Sequence, residues 1–348
     1  MSYNKLIYNK YFSHIYAEED VWGYPAAQKI RAAFPDSVYI PIRHYKDVFC
    51  KKGQDFSLQK RGPKLILAVK RGAMYYKGSH MCDSFGRGGF IYTSEIMNCL
   101  YNCEYCYLRG MYPSANVVIF VNQEDCLSAV ERVLPAYICV SYDTDLLAFE
   151  HLTAFVHGWM RFCGKHPAAE IEIRTKSAGF NQIENITPLP NVTLAWTISP
   201  DEAAARFENG APPLAARLAD VSEALDKGWT ARVCVDPIIK FKGWREAYRE
   251  TALIIKNTVG VERLSGVSVG AFRVSPGFYK RMRKLSPYSE VLSYPMVERD
   301  GGMRYPDEAE IVSYLSKLIH THVNAPSITK SAPVVNALES PAKKIAMA

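Results

Sequence analysis

Cys99, Cys103 and Cys106 stand in the run CLYNCEYCYL with a C-x3-C-x2-C spacing. Three thiolates are one short of the four that close a structural zinc site. On a cubane iron–sulfur cluster the same three leave one iron without a protein ligand. An iron with an open position can bind and reductively cleave a small molecule, which sets a catalytic cluster apart from a fully ligated, electron-carrying one. The other six of the nine cysteines are scattered singly, and no second CxxC occurs. The competing reading is half a zinc site in a non-enzymatic, metal-stabilised nucleic-acid-binding protein. The missing fourth cysteine argues against it.

The elements that must position these thiols are those of a large α/β core. The chain has 348 residues, 48% hydrophobic, with a net charge of +7. No apolar run approaches the ~18 residues of a bilayer span, and the N-terminal MSYNKLIYNKYFSHIY lacks a secretory h-region. A cytoplasmic protein with reduced thiols is expected. Basic residues cluster at Arg61, Lys64, Lys70 and Arg71 and in KRMRK at 280–284. Either cluster alone reads as a solvated face.

Residues 1–85 carry no catalytic motif, although Leu65–Val69 reads as a short buried strand. From Ser94 onward strand and helix signals alternate. Strands are expected over 90–96, 116–121, 137–142, 170–176, 192–199, 232–239 and 267–272. Helices are expected over 123–134, 146–163, 211–227 and 244–257. This pattern predicts a parallel sheet curling into a partial β/α barrel, with its site at the C-terminal ends of the strands. The expected organisation is an N-terminal segment (1–85) packed on a barrel (86–325), then a disordered tail (326–348). A monomer is expected.

The cysteine spacing resembles that of the radical S-adenosylmethionine enzymes. In those enzymes an aromatic residue just before the third cysteine commonly packs near the adenine, and Tyr105 holds that place. Segments from about Tyr24 to Pro306 narrow the resemblance to the spore photoproduct lyase family. They are NCEYCYL, SYDTDLLAFEHL (141–152), RTKS (174–177), ISPDE (198–202), FENGAPPLAARLADVSEALDKGW (207–229), VDPIIKFKGWREAYRE (235–250) and ERDGGMRY (298–305).

The resemblance implies a (β/α)6-type radical SAM barrel with a [4Fe-4S] cluster and S-adenosyl-L-methionine as cofactors. It implies repair of UV-damaged DNA. A 5′-deoxyadenosyl radical takes hydrogen from a methylene-bridged thymine pair, the bridge breaks, and a hydrogen donor quenches the product radical. It places Cys99, Cys103 and Cys106 on the cluster, and Lys176 and Ser199 at the amino-acid end of the cofactor. Thr144 and Asp145 follow the strand that carries Cys139, where a barrel strand would present side chains to the cofactor, although Asp145 equally suits a helix cap. Tyr105 and Tyr107 fall in a radical relay, and Arg299 and Arg304 in a DNA-gripping glycine turn. A flavodoxin or ferredoxin is the expected reductant.

One departure stands out. The place of the usual donor cysteine is held by Tyr142, which could join or replace the tyrosine relay. Cys139 lies an odd offset away, on the opposite strand face, and reads as a buried core thiol. Cys82, in KGSHMCDSFGRGG, is the better donor candidate, as in clostridial members that lack the usual cysteine. The missing cysteine also keeps open a diverged radical enzyme acting on another nucleotide-type substrate.

Overall fold

The computed structural model describes residues 12–78, 84–322 and 328–330. Strands β1 (His14–Glu18), β2 (Val38–Ile42) and β3 (Leu65–Ala68) form a parallel group at its N-terminal end. The chain then alternates between two sheets. β4 (Tyr75–Lys77) and β5 (Ile91–Thr93) pair antiparallel at the edge of the second sheet. β6 (Ile96–Met97) returns to the first, β7 (Asn102–Cys103) lies within the cysteine loop, and β8 (Val117–Phe120) pairs with β3. The first sheet therefore runs β2-β1-β3-β8-β6.

The second sheet continues with β9 (Ala136–Cys139), β10 (Ala169–Thr175) and β11 (Val192–Thr197). β12 (Glu208–Asn209) pairs with β7, and β13 (Thr230–Ile238) and β14 (Gly266–Ala271) extend the sheet. β15 (Arg273–Val274), β16 (Val297–Arg299) and β17 (Gly302–Arg304) make a small antiparallel sheet, and β18 (Ile328–Lys330) pairs with β14. The order β18-β14-β13-β11-β10-β9-β5-β4 is the expected open α/β barrel wall, parallel except at β4.

Side-chain patterns explain the two sheets. In β3 and β8 every residue is buried. Leu65, Leu67, Val117 and Ile119 face one apolar cluster, while Ile66, Ala68, Val118 and Phe120 face another. Strands covered on both faces lose polar alternation. The second sheet alternates. Ile171, Ile173, Leu194, Trp196, Val233, Val267 and Val269 pack in the main core. Glu172, Arg174, Arg232, Cys234 and Ser268 share the other face, as their register shows.

Several boundaries differ from expectation. The apolar run 116–121 joins the first sheet rather than the barrel, because its run of apolar residues suits a strand covered on both sides. The strand expected over 90–96 splits into β5 and β6 in different sheets. The helix over 146–163 breaks at Ala154, whose φ is +57°. The described residues before 86 join both sheets: β4 edges the barrel sheet, and β8 and β6 complete the N-terminal one. Ile328–Lys330, expected within a disordered tail, forms β18.

Candidate cluster site and barrel mouth

Asn98 turns the chain into the cysteine loop. Its φ of +68° is a left-handed conformation that Asn tolerates better than most residues. Its Nδ2 holds the turn by donating to the carbonyls of Ser114 (2.8 Å) and Asn116 (2.7 Å). β7 then pairs with β12, setting Cys103 opposite Glu208, and Glu104 N–H donates to the Phe207 carbonyl at 2.8 Å. Cys99, Cys103 and Cys106 line one narrow cleft with Phe56, Lys60 and Arg109. Lys60 Nζ donates to the carbonyls of Cys99 (2.6 Å) and Tyr101 (3.1 Å), and Arg109 Nη1 donates to Asn102 Oδ1 (2.6 Å).

This donor set fits an iron–sulfur cluster. Burial pushes the Cys99 thiol up to about 12 and raises Cys103 as well, with Lys60 opposing at Cys99 and Lys176 at Cys103. Thiolates in this place therefore need positive charge, which cluster irons with Lys60, Arg109 and Lys176 supply. Among the described residues no three His, Cys, Asp or Glu side chains converge on a single metal ion.

Glu208 was missed at the sequence level, yet it organises the sheet side of the loop. It is buried and accepts hydrogen bonds from Tyr105 OH, from Ser199 Oγ at 2.8 Å and from Arg217 Nη2. Burial alone would raise its pKa, but Arg217, Lys176 and the Tyr105 hydroxyl hold it at about 2. Arg217 also donates to the carbonyls of Pro212 (2.8 Å) and Thr197 (3.1 Å). Lys176 lies 5.7 Å over the Tyr105 ring and, despite burial, is kept charged by Glu208 and Cys103. The structure thus brings Tyr105, Lys176 and Ser199 together beside Cys103. Only the motif FENG, which sets a buried acid in a turn, signalled Glu208.

Asp145 is already engaged. Its oxygens accept from Thr175 Oγ1 (2.7 Å), Lys176 N (2.6 Å) and Ala148 N (3.2 Å). It ties the end of β10 to the loop after β9 and caps the following turn. Its neighbours differ. Among the described residues Thr144 Oγ1 and Ser141 Oγ are buried without a hydrogen-bond partner, and the Asp143 carboxylate is fully buried with only the Ser94 and Tyr112 hydroxyls close by. Burial raises the Asp143 pKa against the pull of the nearby Ser94 and Tyr112 hydroxyls and of Lys70.

Tyr107 donates its hydroxyl to the Tyr142 carbonyl, with ring centroids 6.0 Å apart. Tyr142 stacks on Tyr92 at 4.1 Å, and Tyr92 on Tyr76 at 5.2 Å. Tyr92 and Tyr76 carry no signal in the sequence, because their contacts cross between strands.

Cys82 lies outside the described residues. Phe85, three positions later, lies over the Arg232 guanidinium at 3.4 Å on the polar face of the barrel sheet. Arg232 in turn pairs with Glu172. Cys139 is not the core thiol expected. It is half-buried, opposite Glu172 in register and on the same side as Tyr137, whose hydroxyl donates to Glu172 at 2.9 Å. β9 ends at Cys139, so strand alternation does not carry on to Tyr142.

The glycine turn is the hairpin β16–β17. Arg299 is exposed and reaches Glu308 at 2.9 Å. Arg304 is buried, with Nη1 bridging both Glu308 oxygens at 2.8 and 2.9 Å. The two arginines share one carboxylate but do not present alike.

Comparisons with known proteins agree with this geometry. A curated spore photoproduct lyase of Geobacillus sp. (strain Y412MC61) is 20% identical over 248 residues, covering 68% of this chain and 70% of its own length. The solved spore photoproduct lyase complexed with dinucleoside spore photoproduct superposes with a TM-score of 0.78 at 16% identity, covering 92% of this chain and 98% of its own. A doubly substituted spore photoproduct lyase with bound AdoMet and the same dinucleoside gives 0.76 at 17% identity, with the same coverage. The family model described as spore photoproduct lyase matches residues 89–272, more than half of the chain and the stretch that holds the cysteine loop, Glu208 and the barrel strands. The chain belongs to the spore photoproduct lyase family.

Proposed function

We propose that this protein is a radical S-adenosylmethionine lyase that reverts spore photoproduct, the methylene-bridged thymine pair of UV-damaged DNA, to two thymines. The observation that carries the proposal is the meeting of three cluster-spaced thiols with Lys176, Ser199 and Glu208 where β10 and β11 end. The C-terminal ends of parallel barrel strands are where such folds place chemistry. When bound, the reduced [4Fe-4S] cluster and S-adenosylmethionine supply a 5′-deoxyadenosyl radical that takes hydrogen from the lesion.

The chain's own residues bind and orient. Lys176 and Ser199, braced by Glu208, hold the amino-acid end of the cofactor. Thr144 offers it a hydroxyl that has no protein partner. Asp145 acts one step back, by fixing the Lys176 backbone. Tyr105 positions Lys176 beneath the cofactor. A lesion in a duplex must be turned out of the stack to reach this mouth. Arg299 clamps a phosphate of the lesion strand, and Arg304 braces the hairpin that presents it.

Cys82 is the hydrogen donor in this reading. Tyr107 and Tyr142 would pass the radical onward. An acidic electron carrier such as flavodoxin or ferredoxin reduces the cluster. No helix among the described residues is long and apolar enough to cross a membrane, and the proposed setting is a cytoplasmic monomer, in the spore core of an endospore former.

The test is anaerobic turnover of the methylene-bridged dithymine with reconstituted protein, dithionite and S-adenosylmethionine. Clean thymine from wild type and misquenched adducts from Cys82→Ala are expected. Formation of 5′-deoxyadenosine without thymine would overturn the substrate. Clean thymine from the variant would remove Cys82 as donor.

A further inference from the structure

We infer that Glu308 is a positioning residue for the DNA strand: its carboxylate occupies the place of a DNA phosphate on Arg299 and gives that arginine up when a strand binds. The inference deepens the reading above, in which Arg299 clamps a phosphate of the lesion strand, and rests on it. The hairpin β16–β17 reverses at Asp300 and Gly301, both in the left-handed region at φ +51° and +72°. Arg299 pairs with Gly302 at its tip, whereas Arg304 lies in the central strand between Val297 and Arg273. Glu308 opens the helix Glu308–His322, where the bare N–H groups of the first turn favour a carboxylate. From there it serves both arginines. Arg304 Nη1 donates to Oε1 at 2.8 Å and to Oε2 at 2.9 Å, and Arg299 Nη2 donates to Oε2 at 2.9 Å.

The two claims on this carboxylate are unequal. The Arg304 side chain is 5% exposed, and its Nε and Nη2 are buried without a hydrogen-bond partner among the described residues. Arg273 beside it is already paired with Asp236, at 2.9 and 3.2 Å. The other acids at the helix start are engaged elsewhere, Asp307 with Lys240 at 2.7 Å and Glu310 with Arg245 at 2.8 Å. Arg304 therefore depends on Glu308, and taking the carboxylate away would strand a buried charge. Arg299 depends on it far less. Its side chain is 47% exposed, it donates to an oxygen that Arg304 also uses, and the Asp300 carboxylate lies 4.0 Å from its Nε. An exposed ion pair is weak, and a phosphate receives a guanidinium much as a carboxylate does. A strand can therefore draw Arg299 away while Glu308 stays on Arg304 and keeps the hairpin braced. When the repaired strand leaves, Glu308 takes Arg299 back. The carboxylate is thus a resident competitor, which weakens every phosphate contact made through Arg299 and eases release.

The test measures binding of an undamaged DNA duplex, by fluorescence anisotropy over a salt series, to wild type, Glu308→Gln, Arg299→Ala and the double variant. Circular dichroism confirms that each is folded. Glu308→Gln should bind the duplex about threefold more tightly. Its plot of log affinity against log salt should steepen by about one, the mark of one more phosphate neutralised. In the Arg299→Ala background the same substitution should do neither, because the competition is for Arg299. Should Glu308→Gln fail to fold, Glu308→Asp takes its place. It keeps a charge for Arg304, is one methylene too short to hold Arg299 as well, and should tighten binding in the same way. Unchanged or weaker binding by the folded variant would overturn the inference and leave Glu308 a brace alone. Equal tightening in both backgrounds would overturn it too, since loss of any negative charge would then suffice. Turnover of the dinucleoside lesion, which carries no phosphate, is read on wild type alongside. Its failure would overturn the lyase reading, while the duplex-binding comparison would still decide the role of Glu308.

Discussion

The sheet side of the cysteine loop and the loop after β9 lie in one mouth but are built differently. Around Glu208 each charge has its counter-charge, and Tyr105, Ser199, Arg217 and Lys176 converge on one carboxylate. After β9, Ser141 and Thr144 keep buried hydroxyls without a partner among the described residues, and the buried Asp143 has only the Ser94 and Tyr112 hydroxyls and Lys70 to offset its burial. Buried polar groups are ordinarily satisfied, and exceptions call for a reason. The first region is a finished frame that fixes the cofactor's anchor. The second satisfies its buried polar groups less completely.

Removing the frame's metal ligands should have the largest effect. Cys99→Ala is expected to abolish cluster loading and 5′-deoxyadenosine formation, read by iron analysis and product chromatography, while leaving the circular dichroism of the sheet intact. Next comes the frame's hub. Glu208→Ala strands a fully buried Arg217, so unfolding in urea should show a loss of about 3–5 kcal/mol. A loss below about 1 kcal/mol would break the claim that this side is electrostatically closed.

The second region should respond with the opposite sign. Asp143 has a raised pKa in the folded protein, so its contribution to stability is most favourable below the ordinary carboxylate range and is lost as pH rises through the folded value. Asp143→Asn should therefore raise the melting temperature at pH 8 and change it little at pH 4, worth roughly 1–3 kcal/mol. Equal effects at both pH values would mean that the carboxylate is compensated within the fold. The smallest and most discriminating change concerns the tyrosine stack. In a Cys82→Ala background, Tyr142→Cys should restore part of the clean thymine yield, whereas Tyr142→Phe should not. Recovery with Phe would show that Tyr142 only packs.

The contrast also marks what the sequence made legible. The cysteine loop announced itself because its ligands are close in the chain. Lys176 and Ser199 were singled out by the resemblance of RTKS and ISPDE to the family, not by the strand pattern itself. Glu208 was not, because its partners Tyr105 and Arg217 come from other elements and a turn-rich FENG looks like surface. Cys139 was placed on the wrong face because the strand was read as running to Tyr142, while β9 stops at Cys139. The apolar run at 117–120 revealed a strand but not which sheet would claim it, since an apolar strand covered on both faces carries no directional pattern.

That last point bears on how the molecule could be divided. The family model matches from residue 89, yet β8 lies beside β3, and β6 is held in place by β8. A shortened chain starting at the homologous region would leave the flank of β8 as an unpaired, apolar strand edge, the kind that recruits other chains. It would also lose the wall that carries Lys60 behind the cysteines. The solved relatives superpose over 92% of this chain, so the fold they share takes in the N-terminal strands together with the barrel, and the two are cut apart only at the cost of that edge.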